Sequence, residues 1–353
     1  MEVLQLGRKQ KNQFKKKKSG KTGLLIGLVI LLFLAGFGYA YLSNLLNSTN
    51  HEAITKDDDQ LGIGDEEFDY DDTEVEIPGE DESEDEEGLP FYYEDVKGIT
   101  NIALFGVDAP VGQRGRSDSI MIVTVDKNSK KIKISSIMRD SYVNIPDRGM
   151  DKINHAYAFG GPELALRTLN SNFHLDIRNY ATVNFTTLPK IIDVLGGISI
   201  TVTGEEASKI SGISSSGTYN LTGAQALDYT RIRKIDSDFA RAGRQRTVIE
   251  AIINKMLKSP VTSYPNVLSK VLPLVTTNLK SNDILSLAGS VVTNGIRTID
   301  QNRFPEESVS SGQSINGIYY YVFNREQTIH NMGKYIYLDE TSETDEADET
   351  ENP

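Results

Sequence analysis

Two groups of charged residues in this sequence are of types that could handle a phosphate and its counter-ion. The first lies in the stretch 101–140, NIALFGVDAPVGQRGRSDSIMIVTVDKNSKKIKISSIMRD, and holds Asp108, Arg116, Asp118, Arg139 and Asp140. The second lies at 231–246 and holds Arg231, Arg233, Asp236, Asp238, Arg241, Arg244, Gln245 and Arg246. Carboxylates coordinate hard cations such as Mg²⁺. Arginine gives bidentate contacts to phosphate and keeps its charge in doing so.

The elements that must position the first group are strands. Short apolar runs at 102–105, 120–125 and 132–137 predict three of them. The gap 106–119, with glycines, a proline and charges, predicts a loop, and 126–131 a hairpin turn. In a meander the middle strand runs antiparallel to the other two. One sheet edge then collects Asp108, Arg116, Asp118, Arg139 and Asp140, and ligands in α/β proteins favour the carboxyl edge. Three core strands with merely solvated ends would give the same pattern.

The second group belongs to a helix. Val248, Ile249, Ile252, Ile253, Met256 and Leu257 recur at helical spacing, and Asp238 reads as the N-cap. Asp238, Arg241 and Gln245 fall on the stripe of Val248 and Ile252. The first turns of a core-packed helix therefore aim arginine and glutamine inward. A buried arginine without an anionic partner is costly, and a helix N-terminus attracts anions. A ligand phosphate would answer both conditions; so would ion pairs with Asp236 or Asp238.

The rest of the chain predicts an α/β fold in three layers, α/β/α, around a mixed central sheet. Residues 142–145 continue extended. A helix at 151–159 is broken by Gly160-Gly161-Pro162, and Pro162 opens another to Leu175. A strand at 181–184, a helix at 186–195 ended by Gly196-Gly197, and a strand at 198–202 follow. Residues 204–217 read as a mobile loop and 221–229 as a short helix. The stretch 261–338 predicts three helices, with amphipathic runs at 267–276 and 284–292, and two strands, 297–304 and 318–323. Tyr319-Tyr320-Tyr321 reads as strand packing rather than a sugar platform.

Charge is strongly partitioned along the 353 residues, whose net charge is −13. Residues 1–21 carry +7 and residues 51–95 carry −20; 96–338 carry +8 and the tail 339–353 carries −8. The folded part is basic, which suits an anionic ligand. Residues 23–46 are apolar and uncharged, long enough to span a bilayer, and preceded by lysines and arginine. The positive-inside bias puts 1–22 in the cytoplasm and the remainder outside, on an uncleaved single-pass anchor. Residues 47–97 read as a disordered acidic linker before a domain at 98–338, and 339–353 as a disordered acidic tail. The sequence has no Cys and four His, with no HExxH and no GxSxG. Disulfides and thiolate metal sites are thereby excluded, and zinc hydrolases and serine hydrolases disfavoured.

Taken in order, the pieces Gly106-x-Asp108, Arg116-Ser117-Asp118, Ser136-Ile137-Met138-Arg139-Asp140, Asp151-Lys152-Ile153-Asn154, Ala156-Tyr157-Ala158-Phe159-Gly160-Gly161-Pro162, Leu195-Gly196-Gly197-Ile198, Leu221-Thr222-Gly223-Ala224-Gln225-Ala226-Leu227, Arg231-x-Arg233 and Asp238-Phe239-x-Arg241-x-x-Arg244-Gln245 resemble the LytR-CpsA-Psr family of cell-wall enzymes. Met138 stands where the family pattern usually carries Pro. The resemblance implies an extracellular phosphotransferase that takes a glycopolymer, such as a teichoic acid or capsule polysaccharide, from a polyprenyl-pyrophosphate carrier. It attaches the polymer to a peptidoglycan sugar hydroxyl. It implies a fold with an apolar tunnel for the lipid, and Mg²⁺ held by Asp108 and Asp118. Arg116, Arg139, Arg231, Arg233, Arg241 and Gln245 are expected on the pyrophosphate. Asp108, Asp118, Arg139, Asp140 and Arg241 form the expected catalytic set, with Asp140 or a metal-linked aspartate as candidate base. The rival readings are a membrane-bound regulator of transcription or autolysis and a non-catalytic wall-glycan binder; no nucleic-acid partner is expected.

Overall fold

The computed structural model describes residues 50–64, 77–78, 96–110, 113–233, 235 and 237–340. The expected membrane segment 23–46, the basic segment before it and most of the acidic linker and tail lie outside the described residues. Among the described residues, no helix is long and apolar enough to cross a membrane.

A seven-stranded mixed sheet forms the centre. Its strands are β1 (Asn50–His51), β2 (Ile99–Val107), β3 (Ser117–Asp126), β4 (Lys131–Ile137), β7 (Asn179–Asn184), β10 (Thr276–Thr277) and β11 (Thr298–Phe304). Their order is β1-β10-β7-β2-β3-β4-β11. β2, β3 and β4 make the predicted antiparallel meander, while β7 joins β2 and β11 joins β4 in parallel. Three hairpins stand outside the sheet: β5 (Tyr142–Ile145) with β6 (Gly149–Lys152), β8 (Ile198–Val202) with β9 (Gly217–Leu221), and β12 (Ser310–Ile315) with β13 (Ile318–Phe323).

Alternation along the strands gives the sheet two apolar faces, and helices cover both. Ala103, Phe105, Ile120 and Ile122 pack with Leu166 and Leu169 of α1 (Ile153–Phe173) and Met332 of the C-terminal helix Arg325–Gly333. Val123, Val125 and Ile132 pack on the opposite side. Their partners are Ile253 and Leu257 of the helix Asp238–Lys258, and Leu287 and Val291 of the helix Ser281–Thr293. In chain order the remaining helices are α2 (Thr187–Val194), α3 (Gly204–Ala207), α4 (Gly223–Arg231) and α6 (Tyr264–Val271); Asp238–Lys258 is α5, Ser281–Thr293 α7 and Arg325–Gly333 α8.

Several expectations are corrected. The helix expected from 151 starts at Ile153, because Asp151 and Lys152 pair with Val143 and Tyr142 in β6. Gly161 does break it, at φ 71°, a conformation that glycine adopts readily. The region 204–217 is not a plain loop: Thr203 and Glu206 form a capping box around α3. Leu221 closes a hairpin rather than opening a helix. Residues of 50–64, expected in the acidic linker, are part of the fold. Asn50 and His51 pair with β10, and Leu61 and Ile63 are buried in the main core. At the other end, Asp339 pairs with Lys131 and Lys133 rather than belonging to a free tail.

Candidate functional site

The meander delivers the first charged group to one edge through a local irregularity. Gly106 is level with Ser119 but Val107 with Ser117, so Asp118 is the extra residue of a β-bulge. A bulge re-aims a side chain and often borders a site. Gly106 permits the close approach, since a Cβ there would lie 2.9 Å from the Ser119 Cβ. Asp108 follows directly, exposed, with its N–H donating to the Arg116 carbonyl at 3.2 Å. Arg116 is exposed beside it.

At the end of β4 the chain turns. The Met138 N–H donates to the Phe304 carbonyl at 3.0 Å and the Ser141 N–H to the Met138 carbonyl at 3.0 Å. The first of these bonds is one that the family's proline could not make. Arg139 and Asp140 occupy the tip. The first amides of α1, those of Ile153 and Asn154, donate to the Ser141 and Arg139 carbonyls and pin the turn in place.

Arg139 is the hub. Its guanidinium lies 3.4 Å from Asp118, 3.4 Å from Asp140 and 3.5 Å from Asp238. Both Asp140 oxygens are engaged, because Lys152 Nζ donates to Oδ1 at 2.7 Å. Asn154 Nδ2 donates to Asp118 Oδ1 at 3.3 Å. Burial works against the Arg139 charge, but Asp140, Asp118 and Asp238 outweigh it and raise its pKa.

The second charged group meets the first. Asp118, Ser136, Arg139, Asp238, Arg241 and Gln245 line one cleft between the sheet edge and α5. The N-cap of α5 is Ser237, whose Oγ accepts from the Ala240 N–H; Asp238 is the first helical residue, not the cap. Its side chain, 49% exposed, is left to reach Arg139 at the cleft mouth. Arg241 is only 4% exposed, and its buried Nε has no hydrogen-bond partner among the described residues. Burial depresses its pKa, Arg139 and Arg233 add to the depression, and Asp118 and Asp238 oppose it without cancelling it. The cleft therefore contains a buried cation whose charge is disfavoured first by burial and then by two neighbouring guanidiniums, an arrangement that a bound anion would relieve.

Other expected residues stand further out. The Arg231 guanidinium stacks on Phe185, 4.2 Å from the ring centroid, and Phe185 directly follows Asn184, the β7 residue level with Val107. Arg231 thus flanks the edge that carries Asp108. Arg233 is exposed and acts on Arg241 through space. Arg244, although on the same helix, turns away: it reaches Glu206 at 3.5 Å and the Ile232 carbonyl at 3.2 Å. Sequence reasoning assigned no role to Lys152 and Asn154 and took Asp238 for a cap. Lys152 and Asn154 sit in a motif quoted above, but only the fold of β6 and α1 against the turn shows what they touch.

The sequence model of the LytR_cpsA_psr family matches residues 68–335. The chain is 33% identical over 337 residues to the polyisoprenyl-teichoic acid–peptidoglycan teichoic acid transferase TagU of Oceanobacillus iheyensis, covering 91% of this chain and 95% of that protein. Among solved structures, TagT bound to LIIa-WTA aligns at TM-score 0.59 and 28% identity, covering 70% of this chain and 92% of that one. The LytR-CPS2A-psr family protein YwtF (TagT) with bound octaprenyl pyrophosphate lipid aligns at TM-score 0.56 and 26% identity, with coverage of 70% and 92%.

Proposed function

The chain belongs to the LytR-CpsA-Psr family, and from that membership and the cleft we propose a transferase that moves an anionic glycopolymer of teichoic acid type from a polyprenyl-pyrophosphate carrier to peptidoglycan. The observation that carries this reading is Arg241: a guanidinium held almost out of water, repelled by Arg139 and Arg233, and facing a cleft. A diphosphate placed there neutralises the repulsion and fills the unsatisfied Nε.

The sugar hydroxyl of the acceptor attacks the glycan-linked phosphorus. A new P–O bond forms, the bond to the carrier phosphate breaks, and polyprenyl phosphate leaves with the electron pair. Such a reaction needs positioning and charge neutralisation more than a protein nucleophile. Arg139 and Arg241 supply that charge from within the cleft; Arg116, Arg231 and Arg233 extend it along the rim, and Gln245 lines the wall. Asp140, held on both oxygens by Lys152 and Arg139, orients the hub. Asp118 is then the carboxylate inside the cleft able to take the hydroxyl proton.

We propose that these residues take a magnesium ion, a reading supported by the chemistry of the donor set. Asp118 in the bulge and Asp108 at the end of the neighbouring strand give two carboxylates, and Mg²⁺ takes one or two of these with phosphate oxygens and water as the rest. Among the described residues no group of three His, Cys, Asp or Glu could hold a metal by itself, so the substrate would complete the shell. When bound, the ion neutralises charge on the diphosphate. We further place the domain outside the cell on a single-pass anchor, a reading supported by the apolar run 23–46 and its basic flank.

The test is transfer of a labelled, lipid-linked glycopolymer to peptidoglycan in the presence of Mg²⁺. Asp118→Ala and Arg139→Ala should each reduce transfer by about 100-fold or more while remaining folded, the scale of losing one transition-state charge contact. Full transfer by both variants overturns the reading.

A further inference from the structure

The three tyrosines of β13 do different things. Tyr320 and Tyr321 are buried: Tyr320 tilts against Tyr142 with centroids 4.7 Å apart, and Tyr321 meets Phe239 edge-on at 5.4 Å. Tyr319 is 52% exposed, and Ile318 beside it 51%. The Tyr319 ring lies across Gly312 of β12. A Cβ on Gly312 would come 2.6 Å from the Tyr319 hydroxyl and 2.7 Å from a ring carbon. Glycine at 312 is what allows the ring to lie on the hairpin in that pose, so the ring is supported yet half open to water.

Lys152 links the ring to residues of the cleft. Lys152 Nζ stands 5.8 Å from the Tyr319 centroid and is the same ammonium that holds Asp140 Oδ1. Burial raises the Tyr319 pKa, and Asp140 and Asp238 are among the charges that add to it. An ammonium thus stands beside a supported aromatic ring and ties it, through Asp140, to Arg139 of the cleft. Aromatic faces pack against the C–H faces of pyranose rings while nearby polar groups take the hydroxyls. Core packing explains Tyr320 and Tyr321 but not a neighbour left half exposed.

We propose that Tyr319, supported by Gly312, is the platform on which a sugar ring of the glycan acceptor stacks, bringing a hydroxyl to the cleft bordered by Arg139 and Asp140. This rests on the transferase reading for its occupant, and the experiment separates the two. The full-length protein is titrated with soluble peptidoglycan glycan strands and, separately, with polyprenyl pyrophosphate. Tyr319→Ala should weaken glycan binding about tenfold, the scale of one lost aromatic contact of about 1.4 kcal/mol. Tyr319→Phe should bind as the parent does, and lipid affinity should stay unchanged in both. In turnover, Tyr319→Ala should raise the acceptor KM by about the same factor at unchanged kcat. Equal glycan affinity for parent and Tyr319→Ala overturns the platform, as does a loss of lipid rather than glycan affinity, which would make the ring a contact for the carrier. Failure of the parent to transfer would overturn the enzymatic reading, while the binding titration still decides the platform.

Discussion

Arg241 shows how a residue can be useful and unfavourable together. Its guanidinium is buried beside Arg139 and Arg233, and the opposing aspartates do not restore its pKa. Replacing a buried, poorly compensated charge by an apolar chain of similar length is often neutral or stabilising. Arg241→Met should therefore melt no lower than the parent while transfer falls by about 100-fold. Thermal unfolding with and without pyrophosphate checks this: the ligand should raise the melting temperature of the parent and not of the variant. Asp140 predicts the opposite pattern. Asp140→Asn should loosen Arg139 and free Lys152, costing both stability and transfer.

Two devices act at the scale of elements. The bulge in β3 aims Asp118, and it depends on Gly106. Gly106→Ala puts a Cβ 2.9 Å from Ser119, which should cost about 1–3 kcal/mol of stability. Transfer should fall more than stability explains, because the bulge must shift and carry Asp118 with it. The second device is the β3–β4 turn. Lys133, fully buried, pairs with Asp126 at 3.0 Å and donates to the Ile336 carbonyl at 3.2 Å, tying the meander to the C-terminal turn Lys334–Leu338. Burial raises the Asp126 pKa, but Ser129 and Lys133 outweigh it and the net shift is downward. A depressed carboxylate gives stability that is present above its unfolded pKa and lost as pH falls through its folded one. Chemical denaturation from pH 7 downward should show that contribution intact to about pH 4 and lost below it; Asp126→Asn should flatten that part of the profile. Lys133→Met, which removes the cation paired with Asp126 and leaves that carboxylate to its Asn128 and Ser129 hydrogen bonds, should cost about 3 kcal/mol.

At the scale of the molecule, the domain begins earlier than its acidic composition indicates. Asn50 and His51 extend the sheet through β10, and Leu61 is fully buried against α1 and its neighbours. Arg178 pairs with Asp58, and the Leu61 carbonyl accepts from Asn170 Nδ2 at 2.8 Å. Leu61→Ala should destabilise the domain by about 2–5 kcal/mol, the usual range for a buried leucine. A chain starting at residue 65 should melt well below one starting at 50, and equal melting temperatures would show this segment to be dispensable. The acids of 57–59 misled because charge is read from composition, whereas burial here comes from the isolated Leu61 and Ile63 among them.

By itself the sequence determined the α/β alternation, the three-strand meander, the break at Gly161 and the family. These follow from local periodicity, from glycine and proline, and from the motif pieces at fixed order. The hairpins β8–β9 and β12–β13, the start of the domain and the partners of Arg139 were decided only by tertiary structure. Short polar strands carry little periodic signal, and ion pairs such as Arg139 with Asp238 join residues about a hundred positions apart. The same holds for Tyr319, whose exposure depends on a glycine across the hairpin rather than on anything in its own run of three tyrosines.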